Sequence, residues 1–201
     1  MAPREDLKNL RETQITRAAY EIIARNGYEN ITVQDIADHA GFSKGIVYYY
    51  FKSKDDLMVG LFDSIIAVID KRFAEVRREN PDPREQLKSV IRISLDIVHE
   101  HMEFYRVIMV FWTQIGHKEF MKEINARLFR HWRREIEKIL ELGTAQGAFT
   151  PALPTRTIAS SIIAQVLGVS LQYIFDPDAF DFAEMTDTVI GDVLVMVSAD
   201  R

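Results

Sequence analysis

An all-α fold is what this 201-residue chain predicts, and three observations predict it. Apolar residues recur at spacings of three and four through nearly its whole length, which is the period of an amphipathic helix. Helix start and stop signals punctuate that pattern, and no segment alternates with the period of two that a half-buried strand requires. The expected division is a three-helix head over residues 1–53 and a helical bundle over residues 54–201, with about nine helices in all.

The first helix is expected from Leu7 to Asn26, with Leu10, Ile15, Ala18, Ala19, Ile22 and Ile23 on one side. Gly27 follows where a left-handed terminating residue is wanted. Thr32 with Asp35 three residues later is a capping pair, and Val33, Ile36, Ala37 and Ala40 share one face, so a two-turn helix is expected over Thr32–His39. Gly41 breaks it. Ser43 is placed to cap a second short helix that begins at Lys44 and Gly45 and turns Val47 and Phe51 inward. Two short helices joined by a glycine-containing turn are a helix-turn-helix. Successive helical residues are about 100° apart, so Tyr48, Tyr49 and Tyr50 fan across more than half of the circumference, and at least one hydroxyl faces away from the protein.

Ser53 and Asp56 open a fourth helix expected to run to about Asn80, roughly 39 Å of it, with Leu57, Leu61, Phe62, Ile65, Ile66, Ile69 and Phe73 inward. Pro81 ends it. Asp82, Pro83 and Glu85 start a fifth, to about His101. The next segment, MEFYRVIMVFWTQI from Met102 to Ile115, is apolar on nearly every side and belongs in the middle of a bundle. A seventh helix spans His117–Ala145 and a glycine- and proline-marked loop follows. Two very apolar helices, Thr155–Phe175 and Phe180–Val197, close the sequence; by composition they suit a core or a subunit interface equally. Gly168 and Gly191 inside them each cost about 1 kcal/mol relative to Ala unless another backbone comes close.

Composition narrows the function classes. The chain is 47% apolar and 27% charged, ordinary globular material, and its lack of cysteine excludes disulfides and thiolate metal sites. With no signal-peptide pattern and no uncharged apolar run of membrane-spanning length, a soluble cytoplasmic protein is expected. Residues 1–54 carry eight Lys/Arg against seven Asp/Glu, whereas residues 55–201 carry seventeen against twenty-three, about +1 against −6. Between Gly41 and Lys54 stand Lys44, Lys52 and Lys54 without one acid, interleaved with hydroxyls and tyrosines, a pattern suited to phosphate contact at one docked site. No catalytic motif is present: H-E-x-x-H, P-loop, G-x-S-x-G and Rossmann glycine patterns are all missing. His99 and His101, two apart on a helix, point about 200° away from each other and do not share an ion. No metal site, cofactor or enzymatic activity is expected.

The run TVQDIADHAGFSKGIVYYYFKSKDDL, Thr32 to Leu57, resembles the DNA-binding segment of the TetR family of transcriptional repressors, in the order capped helix, A-G-x-S turn, tyrosine-bearing recognition helix and S-K-x-x-L entry into a long helix. The resemblance implies that Thr32, Ser43, Tyr48 and Lys54 hold phosphates, and that Lys44, Gly45 and Tyr49 lie near base edges, with Gln34 adding a contact. Ile46 and Tyr50 depart from the family's usual residues, and Ile46 either presses on a thymine methyl or packs inward. It further implies a near-palindromic double-stranded operator and a homodimer built from the last two helices.

Aromatic and methionine side chains crowd the central helix beyond what one buried stripe needs, which suits a cavity for a mostly apolar effector. The expected lining is Phe62, Ile65, Ile69, Met102, Tyr105, Met109, Trp112, Phe120 and Ile124, with Gln165 or Tyr173 as polar anchors. The competing class is a helical carrier of an apolar ligand, or an oligomerisation module, without a DNA role.

Overall fold

A computed structural model describes residues 4–100, 102–113 and 119–198. Among them run α1 (Arg4–Asn26), α2 (Val33–Ala40), α3 (Lys44–Tyr50), α4 (Lys54–Glu79), α5 (Pro83–Glu100), α6 (Met102–Thr113), α7 (Glu119–Ala145), α8 (Thr155–Phe175) and α9 (Phe182–Ser198), with no strand among the described residues. The expected limits His101, Ile115 and His117 lie outside the described residues. The start of α9 is a correction. Asp181, two residues into the expected helix, is instead the cap, its Oδ1 accepting from the Glu184 amide at 2.8 Å, which leaves Phe180 in the preceding loop.

Two compact units make up the chain. The first runs through Asp70 and includes Glu103–Asn125; the second comprises Lys71–Met102 and the sequence from Ala126 onward. In the first, α1 packs on α2 and α2 on α3, around Ile15, Ala19, Ile36, Ala37 and Val47, all with no exposed surface. Each of the larger ones, Ile15, Ile36 and Val47, stabilises the fold by about 1.5–3 kcal/mol when taken out of water. Leu57, Met58, Leu61 and Phe62 of α4, in the same unit, are buried as well.

Gly60 faces Phe51, the residue that ends α3. A Cβ at Gly60 would stand 2.5 Å from the Phe51 ring, so a glycine on α4 is what lets the end of α3 lie against it.

In the second unit α5 packs against α8 and α9, and α8 against α9. Leu87, Val90, Ile91, Leu95 and Val98 are buried, as the spacing along α5 predicts. Glu135 is a buried carboxylate that receives Arg77 from α4 and Lys138 from one turn further along α7. Burial opposes its ionisation, but the Lys138 hydrogen bond and the two positive charges prevail and hold its pKa below the usual value.

At 21 residues, with a mean hydropathy of 1.6 in its most apolar stretch, α8 is long and apolar enough by length and composition to cross a membrane. Only 39% of that stretch is buried within the chain.

Candidate nucleic-acid interface and effector cavity

The helix-turn-helix forms by local hydrogen bonds that the sequence encodes. The Asp35 amide donates to Thr32 Oγ1 at 3.2 Å, and Asp35 Oδ2 accepts from the Thr32 amide and hydroxyl, both at 2.7 Å. Those bonds to Thr32 hold the Asp35 carboxyl below its ordinary pKa. Gly41 ends α2 with φ 72°, a left-handed conformation, and the following amide of Phe42 returns to the Ala37 carbonyl at 2.9 Å. Ser43 caps α3, its carbonyl accepting from Ile46 at 2.9 Å. The turn therefore fixes where α3 starts, and α3 fixes which side chains face out.

Val47 and Phe51 point inward, with 0% and 7% of their surface exposed. On the opposite side Tyr49 is 81% exposed, Tyr48 43% and Ile46 41%. Of the two roles open to Ile46, inward packing is thus excluded. Lys44, Gly45 and Ser43 are exposed as well, and a Cβ at Gly45 would meet nothing nearer than Ser43 Oγ at 3.8 Å, so this point of the helix is open to close approach. The Lys44 ammonium lies 5.8 Å from the Tyr48 ring centre, and Tyr49 meets Tyr50 edge to face with centroids 5.1 Å apart. Thr32 and Gln34 on the first short helix are exposed, with Gln34 Nε2 donating to Asp38 at 2.7 Å.

Lys54 is used differently from the outward cation that the sequence leads one to expect. Its Nζ donates to the carbonyls of Tyr28 and Ile31 at 2.7 and 2.8 Å and sits 4.0 Å from the Tyr28 ring centre. Tyr28 in turn donates its hydroxyl to Asp55 at 3.0 Å. The charge therefore ties the α1–α2 loop to the start of α4.

Two further features escape a sequence reading. Arg11 on α1 lies over the Phe42 ring, 4.9 Å from its centre, and with Phe42, Ile46, Tyr49 and Tyr50 borders a small cleft beside α3. Glu21 accepts from Arg17 at 2.9 Å and pairs with His39 at 2.7 Å, joining α1 to the end of α2. Neither contact has a local signal, because partners 18 or more residues apart are set by packing.

Eight of the expected effector-lining residues belong to the first unit. Phe62, Ile65, Tyr105 and Ile124 are buried there, while Ile69, Met109, Trp112 and Phe120 are half-buried. Met102, Gln165 and Tyr173, all half-buried, belong to the second. Tyr173 is engaged locally, its hydroxyl 3.0 Å from His99 Nδ1.

Comparison with known proteins agrees with this geometry. Residues 15–61 match the family model described as bacterial regulatory proteins of the tetR family, and residues 83–192 match that of the BetI-type transcriptional repressor C-terminal region. A fatty acid metabolism regulator protein of Bacillus subtilis is 25% identical over 177 residues, covering 88% of this chain and 90% of that one. An HTH-type transcriptional regulator BetI of Stenotrophomonas maltophilia is 28% identical over 143 residues, 69% of this chain and 73% of its own. Among solved structures, FadR of Bacillus subtilis in complex with stearoyl-CoA superposes with a TM-score of 0.76 at 25% identity, covering 94% of this chain and 99% of that one. The exposed recognition helix, the capped turn before it and the two family matches together make this chain a member of the TetR family, a DNA-binding transcriptional regulator with a BetI-type repressor C-terminal region and not an enzyme.

Proposed function

We propose that the protein is a cytoplasmic homodimeric repressor that binds a near-palindromic operator and releases it when a mostly apolar effector enters the first unit. The observation that carries the reading is the bare outer face of α3, where Lys44, Gly45, Ile46 and Tyr49 stand free of their own subunit's core. Lys44 suits guanine O6 and N7, Ile46 a thymine methyl, and Gly45 admits the base edges closely. Thr32, Ser43 and Tyr48 flank them with hydroxyls for phosphate oxygens, and Gln34 adds a contact from α2. Lys54 serves from behind, holding the loop that presents Thr32. In functional terms residues 1–53 supply the DNA contacts, and residues 54–201 supply the effector cavity and the dimer.

Pairing through α8 and α9 is supported by what those helices leave uncovered. Phe175 and Val195 are 76% and 71% exposed. Thr157, Ser161, Ala164 and Gly168 form a half-buried to exposed small-residue stripe along α8 at helical spacing. Space within 4 Å of a Cβ at Gly168 or Gly191 is empty, so the close approach that would justify these glycines is left for a second copy. The two-fold axis of such a dimer would set two recognition helices on half-sites about 34 Å apart or a multiple of it.

For the effector we favour a long acyl chain, the class that stearoyl-CoA represents in the Bacillus subtilis neighbour. Phe62, Ile65, Tyr105 and Ile124 would form its apolar walls, with half-buried Met109 and Trp112 yielding to admit it. These residues share a compact unit with α1–α3. A coupling of about 1–3 kcal/mol across that unit lowers operator affinity by roughly 5- to 150-fold.

Filter binding tests the whole reading. DNA flanking the coding region, titrated at several salt concentrations, is expected to yield one tight site whose affinity falls with salt. Lys44→Ala is expected to relax base preference, and Tyr48→Phe to weaken binding evenly across sequences. Acyl-CoA thioesters of increasing chain length are expected to release the DNA. A protein that takes up acyl chains without any specific fragment would be a carrier instead, and identical operator affinity with and without saturating thioester would remove the effector mechanism.

A further inference from the structure

We propose that the side-chain oxygen of Asn125 on α7 is the hydrogen-bond acceptor that positions the effector, meeting a neutral O–H or N–H carried on the ligand's apolar stem. This assignment rests on the reading that an acyl effector enters the first unit. Asn125 is the last α7 residue of that unit, and only 3% of it is exposed. It stands on an inward face, with Met121, 0% exposed, one turn before it and Ile124, 4% exposed, as its neighbour. Ile124 is one of the walls assigned to the effector cavity.

The two ends of the Asn125 amide fare differently. Its Nδ2 donates to the Met121 carbonyl at 2.7 Å, whereas Oδ1 is buried and has no hydrogen-bond partner among the described residues. Exchanging the two ends gives no relief, because the Met121 carbonyl only accepts and would then face a second acceptor. Buried polar atoms are nearly always paired, and one left unmet forfeits the hydrogen bonds it made with water. Nor does α7 require this side chain, since the Met121 carbonyl already accepts from the backbone four residues on in the helical ladder. A leucine, branched at the same carbon, would supply the packing without the orphaned oxygen. The polarity at this position therefore serves something other than the fold.

What else is buried in the unit narrows the ligand class. Tyrosines aside, the other buried polar side chain there among the described residues is Thr16, whose hydroxyl is spent on the Glu12 carbonyl at 3.0 Å. No carboxylate, lysine or arginine of the unit is buried among the described residues, so a charged group brought to this depth would find no counter-charge. The donor is therefore neutral. A plain alkyl chain leaves Oδ1 unmet, and an ether or ester oxygen repels it. Two sources of a neutral donor suit an acyl ligand: a hydroxyl on the chain, or an amide N–H of the pantetheine arm in an acyl-CoA thioester.

The test is calorimetric titration of the full-length protein and of Asn125→Leu with four kinds of probe: stearate, hydroxystearates with the hydroxyl at successive chain positions, the methyl ethers of those acids, and stearoyl-CoA. If a chain hydroxyl is the donor, wild type takes one hydroxystearate about tenfold more tightly than stearate or the matching ether, and Asn125→Leu erases the difference. If the pantetheine amide is the donor, stearoyl-CoA alone weakens in the variant, by about tenfold. Either result supports the proposal. Stearate should bind the variant at least as tightly as wild type, and the variant should melt no lower, which separates a lost anchor from a damaged fold. Asn125→Ala repeats the comparison where leucine is not accommodated. Unchanged affinities in the variants, or a loss for stearate as large as for the other probes, would overturn the proposal alone. No saturable uptake of any probe by wild type would overturn it together with the effector reading.

Discussion

Replacing Lys54 by alanine separates two roles for one charge. If the ammonium acts on DNA, its loss lowers the salt slope of operator binding by about 1 and leaves the free protein's stability alone. The structure places it otherwise, with two carbonyl acceptors within 2.8 Å and the Tyr28 ring 4.0 Å away. Hydrogen bonds from a charged donor each contribute about 1.5–3 kcal/mol, and Lys54 is half-buried, so the lower end applies and removing both destabilises by about 3 kcal/mol. For a chain of this size each kcal/mol moves the melting temperature by roughly 2–4 °C, which predicts a drop of about 6–12 °C. Calorimetric melting and filter binding at several salt concentrations on the same preparation read both quantities. A melting temperature within a degree of wild type, with a shallower salt slope, would refute the internal role.

Three further outcomes follow from particular contacts. Glu135→Gln should lose about 1–3 kcal/mol at neutral pH, since it removes the charge that Arg77 and Lys138 share. Because the folded pKa of Glu135 lies below its unfolded value, the stability it confers is complete above the ordinary carboxylate range and lost as pH falls through the folded value. Melts from pH 7 to 3 should therefore show wild type and variant converging in acid, and parallel curves would contradict the assignment. Gly60→Ala forces a Cβ against the Phe51 ring and should destabilise by about 1–3 kcal/mol while loosening operator binding, read by denaturant titration and gel shift. Val195→Asp, on the uncovered side of α9, should halve the mass seen in sedimentation with little change in helix content; an unaltered dimer would move the interface elsewhere.

Helices and caps were the legible part of the fold, because their signals are local. Thr32 with Asp35, Ser43, and Ser53 with Asp56 each cap the helix that the sequence assigns to them. Gly27 adopts the left-handed conformation its place predicts, and Gly41, expected to break the first short helix, adopts it too. The three consecutive tyrosines were legible for a geometric reason, since a helix cannot bury three neighbours, and Tyr49 is the one left most exposed. What stayed hidden was the direction taken by long flexible side chains. Lys54 reads as an outward charge until the loop 26 residues earlier folds over it, and Tyr173 reads as a cavity anchor until His99, 74 residues away, meets its hydroxyl. The Phe180 start of the last helix was misplaced because the apolar pattern runs past the cap at Asp181.

Gly60 is the sole glycine in α4, and such a residue is where a long helix would ordinarily give way. Here the gap is plugged by Phe51, so the weak point is wedged shut by the tail of the recognition helix. Any bend of α4 at that place must pull the wedge along with it. A tilt of α4 at this point would press or draw on the end of α3.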